Sequence, residues 1–254
     1  MLLTLDVGNT NINIGVFDKD ELVLNSRIAT EKKKTSDQFA IQLSEIFRLH
    51  NIATESIDAS IMSSVVPEIT KDVEKAIKMI TGKEVKIVGP GIKTGLNILT
   101  DDPAELGADL VAGAVGAVAG YKLPAFVVDL GTATKIYVID KNCGYRGGTI
   151  APGIAISLEA LTKGASLLPA ISLEAPKKVC GTNTIDCMQS GIVLGTASMI
   201  DGLIDKLSEE MGKPETIITT GGLSGFLASV CSHKMVHDSD LLLKGLKQIY
   251  IKNT

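Results

Sequence analysis

The chain opens on an apolar run, Met1-Leu2-Leu3-Thr4-Leu5, and then alternates through Ile12-Asn13-Ile14-Gly15-Val16. Alternation with a period of two marks a half-buried strand. It predicts strands over 2–7, 11–17 and 21–27, with Asp18-Lys19-Asp20 as the tight connection between the last two. The period then lengthens. Ser36-Asp37-Gln38 opens a helix through about residue 49, and Phe39, Ile41, Leu43, Ile46 and Phe47 form its apolar stripe. A strand over 58–64, a helix over 68–80, a short strand over 84–88 and a small-residue helix over 109–120 follow. The second half repeats this plan. Strands are predicted over 125–130, 133–139 and 144–150, then helices over 154–161 and 184–207. A strand over 215–219, a helix over 224–230, a short strand over 235–237 and a helix over 241–251 complete the chain. Three strands followed by alternating helix and strand is an α/β pattern with a mixed sheet. Its recurrence implies structural duplication, with halves at 1–120 and 121–254.

Composition narrows the class. With 254 residues, 45% of them apolar, and a mean hydropathy of +0.27, the chain can bury a sizeable core. A net charge of −4 and a pI near 5.5 argue against general nucleic-acid binding. The one basic run, Lys32-Lys33-Lys34, reads as a solvated loop before a helix. Cys143, Cys180, Cys187 and Cys231 show no zinc-ligand spacing, which fits a reduced compartment. Asp6 interrupts the apolar start too early for a signal peptide, and the nearly uncharged stretch 110–128 contains Lys122 and Pro124. A cytoplasmic protein with no membrane partner is expected.

Two segments carry the candidate chemistry: Asp6-Val7-Gly8-Asn9-Thr10 and Asp129-Leu130-Gly131-Thr132-Ala133-Thr134. In each, a strand delivers an aspartate, a glycine is expected to turn the chain with φ > 0, and small polar residues line the turn. Such a turn offers N–H groups and hydroxyls to phosphate oxygens, while its aspartate holds a cation directly or through water. One copy is a common hairpin signal. Two copies almost half a chain apart suggest duplicated halves that clamp one nucleotide.

The paired turns resemble the acetate kinase, sugar kinase, heat-shock 70 and actin superfamily. Glu105-Leu106-Gly107-Ala108-Asp109, Gly147-Gly148-Thr149-Ile150-Ala151-Pro152-Gly153 and Thr219-Thr220-Gly221-Gly222, in that order, narrow the resemblance to type III pantothenate kinase. It implies an actin-like ATPase fold of two ribonuclease H-like halves, each a mixed sheet flanked by helices. It also implies phosphorylation of pantothenate by ATP with Mg²⁺, a monovalent cation (K⁺ or NH₄⁺), and a homodimer. Asp6 would hold Mg²⁺ through water. Residues 7–13 (Val7, Gly8, Asn9, Thr10, Asn11, Ile12, Asn13) together with Thr132, Gly221 and Gly222 would bind the nucleotide. Asp129 would hold the monovalent cation, and Asp109 would be the general base. An ordinary N-cap aspartate is the alternative for Asp109. Substrate contacts would fall on Thr100, Gly107, Ala108, Asp109, Leu110, Gly148, Thr184 and Lys135.

Three positions depart from the family pattern. Leu110 stands where an arginine is usual, Thr100 where an aromatic is common, and Lys135 where the second turn usually continues with threonine. Lys135 could replace the charge lost at Leu110. The departures keep two rivals open: a non-catalytic nucleotide-binding regulator, and a kinase of a related small alcohol. The Ala- and Gly-rich segment 108–120 could pack between subunits or within one.

Overall fold

Alternation along the first strand decides which face of its sheet becomes core. In the computed structural model, which describes residues 1–254, β1 (Leu2–Val7), β2 (Asn11–Asp18) and β3 (Glu21–Ala29) form an antiparallel meander. Then β4 (Ala59–Ser64) joins β1 in parallel, and β5 (Val85–Ile87) joins β4. Parallel pairing needs crossovers, which α1 (Ser36–Leu49) and α2 (Pro67–Thr81) supply. Leu3, Leu5 and Val7 meet Phe39, Leu43 and Phe47 of α1 and Ile69, Val73 and Ile77 of α2 in one core. Thr4 and Asp6 therefore face the other way. On that face lies α8 (Leu241–Lys252), whose Leu243 side chain borders Gly15 together with the Thr4 hydroxyl.

The small-residue helix α3 (Ala108–Gly120) packs against α8 at backbone distance. A methyl group at Gly245 would overlap the Ala112 carbonyl, and one at Gly116 the Leu241 carbonyl. Val111, Ala112, Ala114, Val115 and Ala117 are buried. The alanines and glycines thus serve packing within the subunit.

The second sheet repeats the meander with β7 (Ala125–Leu130), β8 (Ala133–Ile139) and β9 (Gly144–Pro152). On one side β10 (Thr216–Thr220) and β11 (Val236–His237) add in parallel; on the other, β6 (Asn97–Ile98) pairs with β9. Phe126, Val128, Leu130, Ile136 and Val138 share a core with Ile154 of α4 (Ile154–Gly164) and Leu227 of α7 (Ser224–Ala228). Val193, Ile200 and Ile204 join it from the continuous helix Thr184–Met211, which comprises α5 (Thr184–Gln189), a π turn over Ser190–Leu194 and α6 (Gly195–Met211). This 28-residue helix has the length and composition to cross a membrane, a feature expected nowhere in the sequence. Its buried stripe is instead part of this core.

The expected halves differ from the two compact units in two places. Residues 97–100 belong to the second unit with 120–239, and residues 240–254 return to the first with 1–96 and 101–119. The cause is packing. Leu241, Leu243, Leu246 and Ile249 of α8 are buried within the first unit, whereas two-residue β6 has too little sequence to show a period.

Candidate functional site

In the first unit, Asp6 is the last-but-one residue of β1, between Asn13 of β2 and Ser63 of β4. Asn13 Nδ2 donates to Oδ2 at 3.2 Å, and Ser63 Oγ donates to Oδ1 at 2.9 Å. These neutral donors orient the buried carboxylate without cancelling its charge. A hard divalent cation requires oxygen ligands of that kind, so the residues fit one.

The turn beyond Asp6 is closed from within. The Gly8 N–H donates to the Asn11 carbonyl at 3.0 Å, and Thr30 bonds the Thr10 carbonyl through its N–H and the Gly8 carbonyl through its hydroxyl. Asn9 and Thr10 are left exposed. Neither Gly8 nor Gly131 takes the left-handed conformation the sequence suggested. Gly8 is needed for a close approach, because a β-carbon there would lie 3.1 Å from the Asn11 carbonyl. Val7 and Ile12 also depart from expectation: their side chains lie in the core, at 0% and 1% exposure, so only their main chain can serve a nucleotide.

Asp109 lies near the same end of the sheet. Gly107 borders Val65, one residue past β4, and a β-carbon at Gly107 would come within 2.5 Å of Asp109 Oδ1. Asp109 is the second residue of α3, and its Oδ1 accepts the Leu110 N–H at 2.8 Å. A capping aspartate instead precedes its helix and bonds an N–H two or three residues on. The cap alternative therefore does not describe this residue. The half-buried Ala108 and Leu110 flank it.

In the second unit, Asp129 occupies the place corresponding to Asp6, opposite Lys135 of β8 and beside Thr220 of β10. Lys135 Nζ lies 2.7 Å from Asp129 Oδ2, with the two side chains 17% and 13% exposed. The sequence had assigned Asp129 to a monovalent cation and Lys135 to the substrate; the fold pairs them with each other. With an ammonium already at the carboxylate, these residues do not fit a bound K⁺. Glycines converge on the adjoining turn. Gly221, at φ +97°, would place a β-carbon 2.6 Å from the Leu130 carbonyl. The Gly153 N–H bonds the Thr132 carbonyl at 3.1 Å, and a β-carbon at Gly153 would lie 2.6 Å from the Gly131 carbonyl. Thr132 and Gly222 are exposed at this turn.

The remaining expected substrate residues are all in the second unit. Thr100 Oγ1 is buried with no hydrogen-bond partner. The neighbouring Leu99 N–H bonds the carbonyl of Tyr145, whose ring stacks on Tyr137 at 5.7 Å. Gly148 approaches backbone: a methyl group there would overlap the Ile136 carbonyl beside the irregular β8–β9 pairing. Thr184 is exposed and lines a cavity of about 750 Å³ with Leu161, Thr182, Met188 and Ile192, while Asn183 caps the helix. Sequence reasoning missed Ser63 and Thr30, and quoted Thr220 within its motif without giving it a role. Only the parallel register of β1 with β4 and of β7 with β10 reveals the first and last, although Ser63-Ser64 at a strand end was a visible hint.

Comparison with known proteins places these features in a family. The family model described as type III pantothenate kinase matches residues 2–206. The type III pantothenate kinase of Halalkalibacterium halodurans is 45% identical over 253 residues, covering 100% of both chains. That of Brevibacillus brevis is 40% identical over 253 residues, covering 100% of this chain and 99% of its own. Among solved structures, a candidate Baf-family transcriptional activator from Campylobacter jejuni superposes with a TM-score of 0.62 at 21% identity, covering 99% of this chain and 98% of its own. Component A of the (R)-2-hydroxyglutaryl-CoA dehydratase of Acidaminococcus fermentans gives 0.58 at 16% identity, covering 99% and 97%. Likeness at that identity concerns the fold alone, which is the actin-like ATPase fold.

Proposed function

We infer residue roles from one premise: the chain belongs to the type III pantothenate kinase family. It is a kinase, a transferase that phosphorylates pantothenate with ATP in coenzyme A biosynthesis. In our proposal the product is 4′-phosphopantothenate and Asp109 is the general base. Asp109 accepts the proton of the primary hydroxyl as that oxygen attacks the γ-phosphorus. The observation carrying this is the start of α3, where Gly107 leaves room for a carboxylate fixed by the next N–H. Asp6 orients a divalent cation, Mg²⁺, which supplies charge neutralisation to the phosphates when bound. Gly8, Asn9, Thr10 and Asn11 bind phosphate oxygens, with Val7, Ile12 and Asn13 shaping the turn. Thr132, Gly221 and Gly222 are assigned to the nucleotide as well. A coupled assay with ATP, Mg²⁺ and a panel of small alcohols tests the assignment. Turnover of another alcohol in preference to pantothenate would overturn it.

Thr100, Gly107, Ala108, Leu110, Gly148 and Thr184 are assigned to pantothenate. Support is clearest at Thr100, whose buried hydroxyl has no protein partner and so suits a polar group of a ligand. Thr100→Val keeps the shape and removes the hydroxyl. It should raise the pantothenate KM about 5- to 10-fold, the scale of one neutral hydrogen bond, with the ATP KM unchanged. An unchanged pantothenate KM removes Thr100 from the site.

A cytoplasmic homodimer completes the proposal. Leu161, Leu167 and Ile185 are exposed at 37%, 95% and 49% around the cavities of the second unit, an apolar surface suited to a second copy. Leu167→Glu is expected to convert a dimer into a monomer in sedimentation at micromolar concentration. A monomeric unmodified protein would discard the proposal.

A further inference from the structure

The two phosphate turns are built on one plan and differ in the charge of the cross-strand neighbour. Each aspartate is the last-but-one residue of the first strand of its meander. Each has a cross-strand neighbour on its antiparallel side, Asn13 for Asp6 and Lys135 for Asp129. Each has a hydroxyl residue beside it on the parallel side, Ser63 or Thr220. In the first unit the cross-strand neighbour is a neutral amide, bonded at 3.2 Å. In the second it is an ammonium, at 2.7 Å and largely shielded from water. Asp129 Oδ2 faces Lys135, while Oδ1 is directed towards the turn, 3.7 Å from where a β-carbon on Gly131 would stand.

We propose that Lys135 Nζ is a built-in replacement for the monovalent cation, so that phosphoryl transfer by this chain is independent of K⁺ and NH₄⁺. The proposal rests on the kinase reading and on the Asp129–Lys135 pair. A carboxylate beside a nucleotide-binding turn adds negative charge where phosphates must come, and that charge has to be balanced. A soluble ion balances it by mass action and therefore makes the rate depend on ion concentration. A lysine fixed across the hairpin balances it at all concentrations. An ammonium on Oδ2 already neutralises the carboxylate, which removes the electrostatic demand that a K⁺ ion would meet. Lys135 acts through Asp129 and is a positioning residue.

The test measures pantothenate phosphorylation in sodium, potassium, ammonium and choline salts at equal ionic strength. The unmodified protein should give the same rate in all four. Lys135→Ala should lose about tenfold or more in sodium and choline, as expected when one partner of a shielded ion pair is removed. It should regain activity with saturation in potassium or ammonium. Lys135→Arg should keep both activity and indifference to the cation. Thermal melting in the presence of ADP gives a second readout. Potassium, compared with choline, should raise the Tm of Lys135→Ala and leave that of the unmodified protein unchanged. Potassium stimulation or stabilisation of the unmodified protein would overturn the proposal, as would a fully active, cation-indifferent Lys135→Ala. Absence of pantothenate turnover in every salt would refute the kinase assignment, and the melting comparison would still decide the cation question.

Discussion

Asp109→Asn is expected to lower turnover by about 10²-fold or more, the scale of a positioned general base, while nucleotide binding is retained. The substitution preserves volume and one acceptor oxygen, so the bond from the Leu110 N–H can persist and α3 can keep its first turn. What disappears is the ability to take a proton from the attacking hydroxyl. Single-turnover rates with saturating ATP and pantothenate isolate that step from binding. ADP titration and melting of the variant should match those of the unmodified protein. Near-normal turnover would make Asp109 a structural residue of the helix start. A loss confined to the pantothenate KM would make it a binding group. Gly107 offers an internal comparison. A methyl group there would press on Oδ1, so Gly107→Ala should displace the carboxylate without removing it.

Strand and helix order was legible because period-two and helical patterns are local. All three strands of each meander, both crossover helices of the first unit and the long helix of the second appear near their expected positions. Pairing information was not local. Asn13 stands beside Asp6 through the antiparallel register of the β1–β2 hairpin, and Ser63 through a parallel register fixed by distant packing; neither register is written in the local period. The same holds for Lys135. In sequence it is a cation six positions from an aspartate; only the hairpin register makes the two direct neighbours. Glycines misled in a similar way. Gly8 is there for a close approach to the Asn11 carbonyl, which φ-based reasoning about turns does not detect. The return of α8 to the first unit was also hidden, since an apolar stripe says that a helix is buried but not against which sheet.

Asp6→Asn should lower kcat/KM for ATP by about 10²–10³-fold, the range for removing one preorganised electrostatic group from a reacting centre. The carboxylate is proposed to hold a divalent cation through water, and an amide contributes neither its charge nor its second equivalent oxygen. Geometry adds a further cost. Asp6 accepts from Ser63 Oγ on one oxygen and from Asn13 Nδ2 on the other, so an asparagine keeps both contacts only by turning its NH₂ to Ser63 Oγ, which must then accept rather than donate. The variant should therefore lose about 0.5–1.5 kcal/mol of stability, the scale of one hydrogen bond. Loss of function and loss of stability can be separated. Asn13→Ala removes the donor to Oδ2 and Ser63→Ala the donor to Oδ1, and both leave Asp6 itself intact. If Asp6 works by binding a cation, Ser63→Ala should raise the Mg²⁺ concentration needed for half-maximal rate, and excess Mg²⁺ should restore most of the activity. Asp6→Asn should not be restored by any Mg²⁺ concentration. Full rescue of Asp6→Asn by Mg²⁺ would show that the divalent cation is held elsewhere and that Asp6 only shapes the turn.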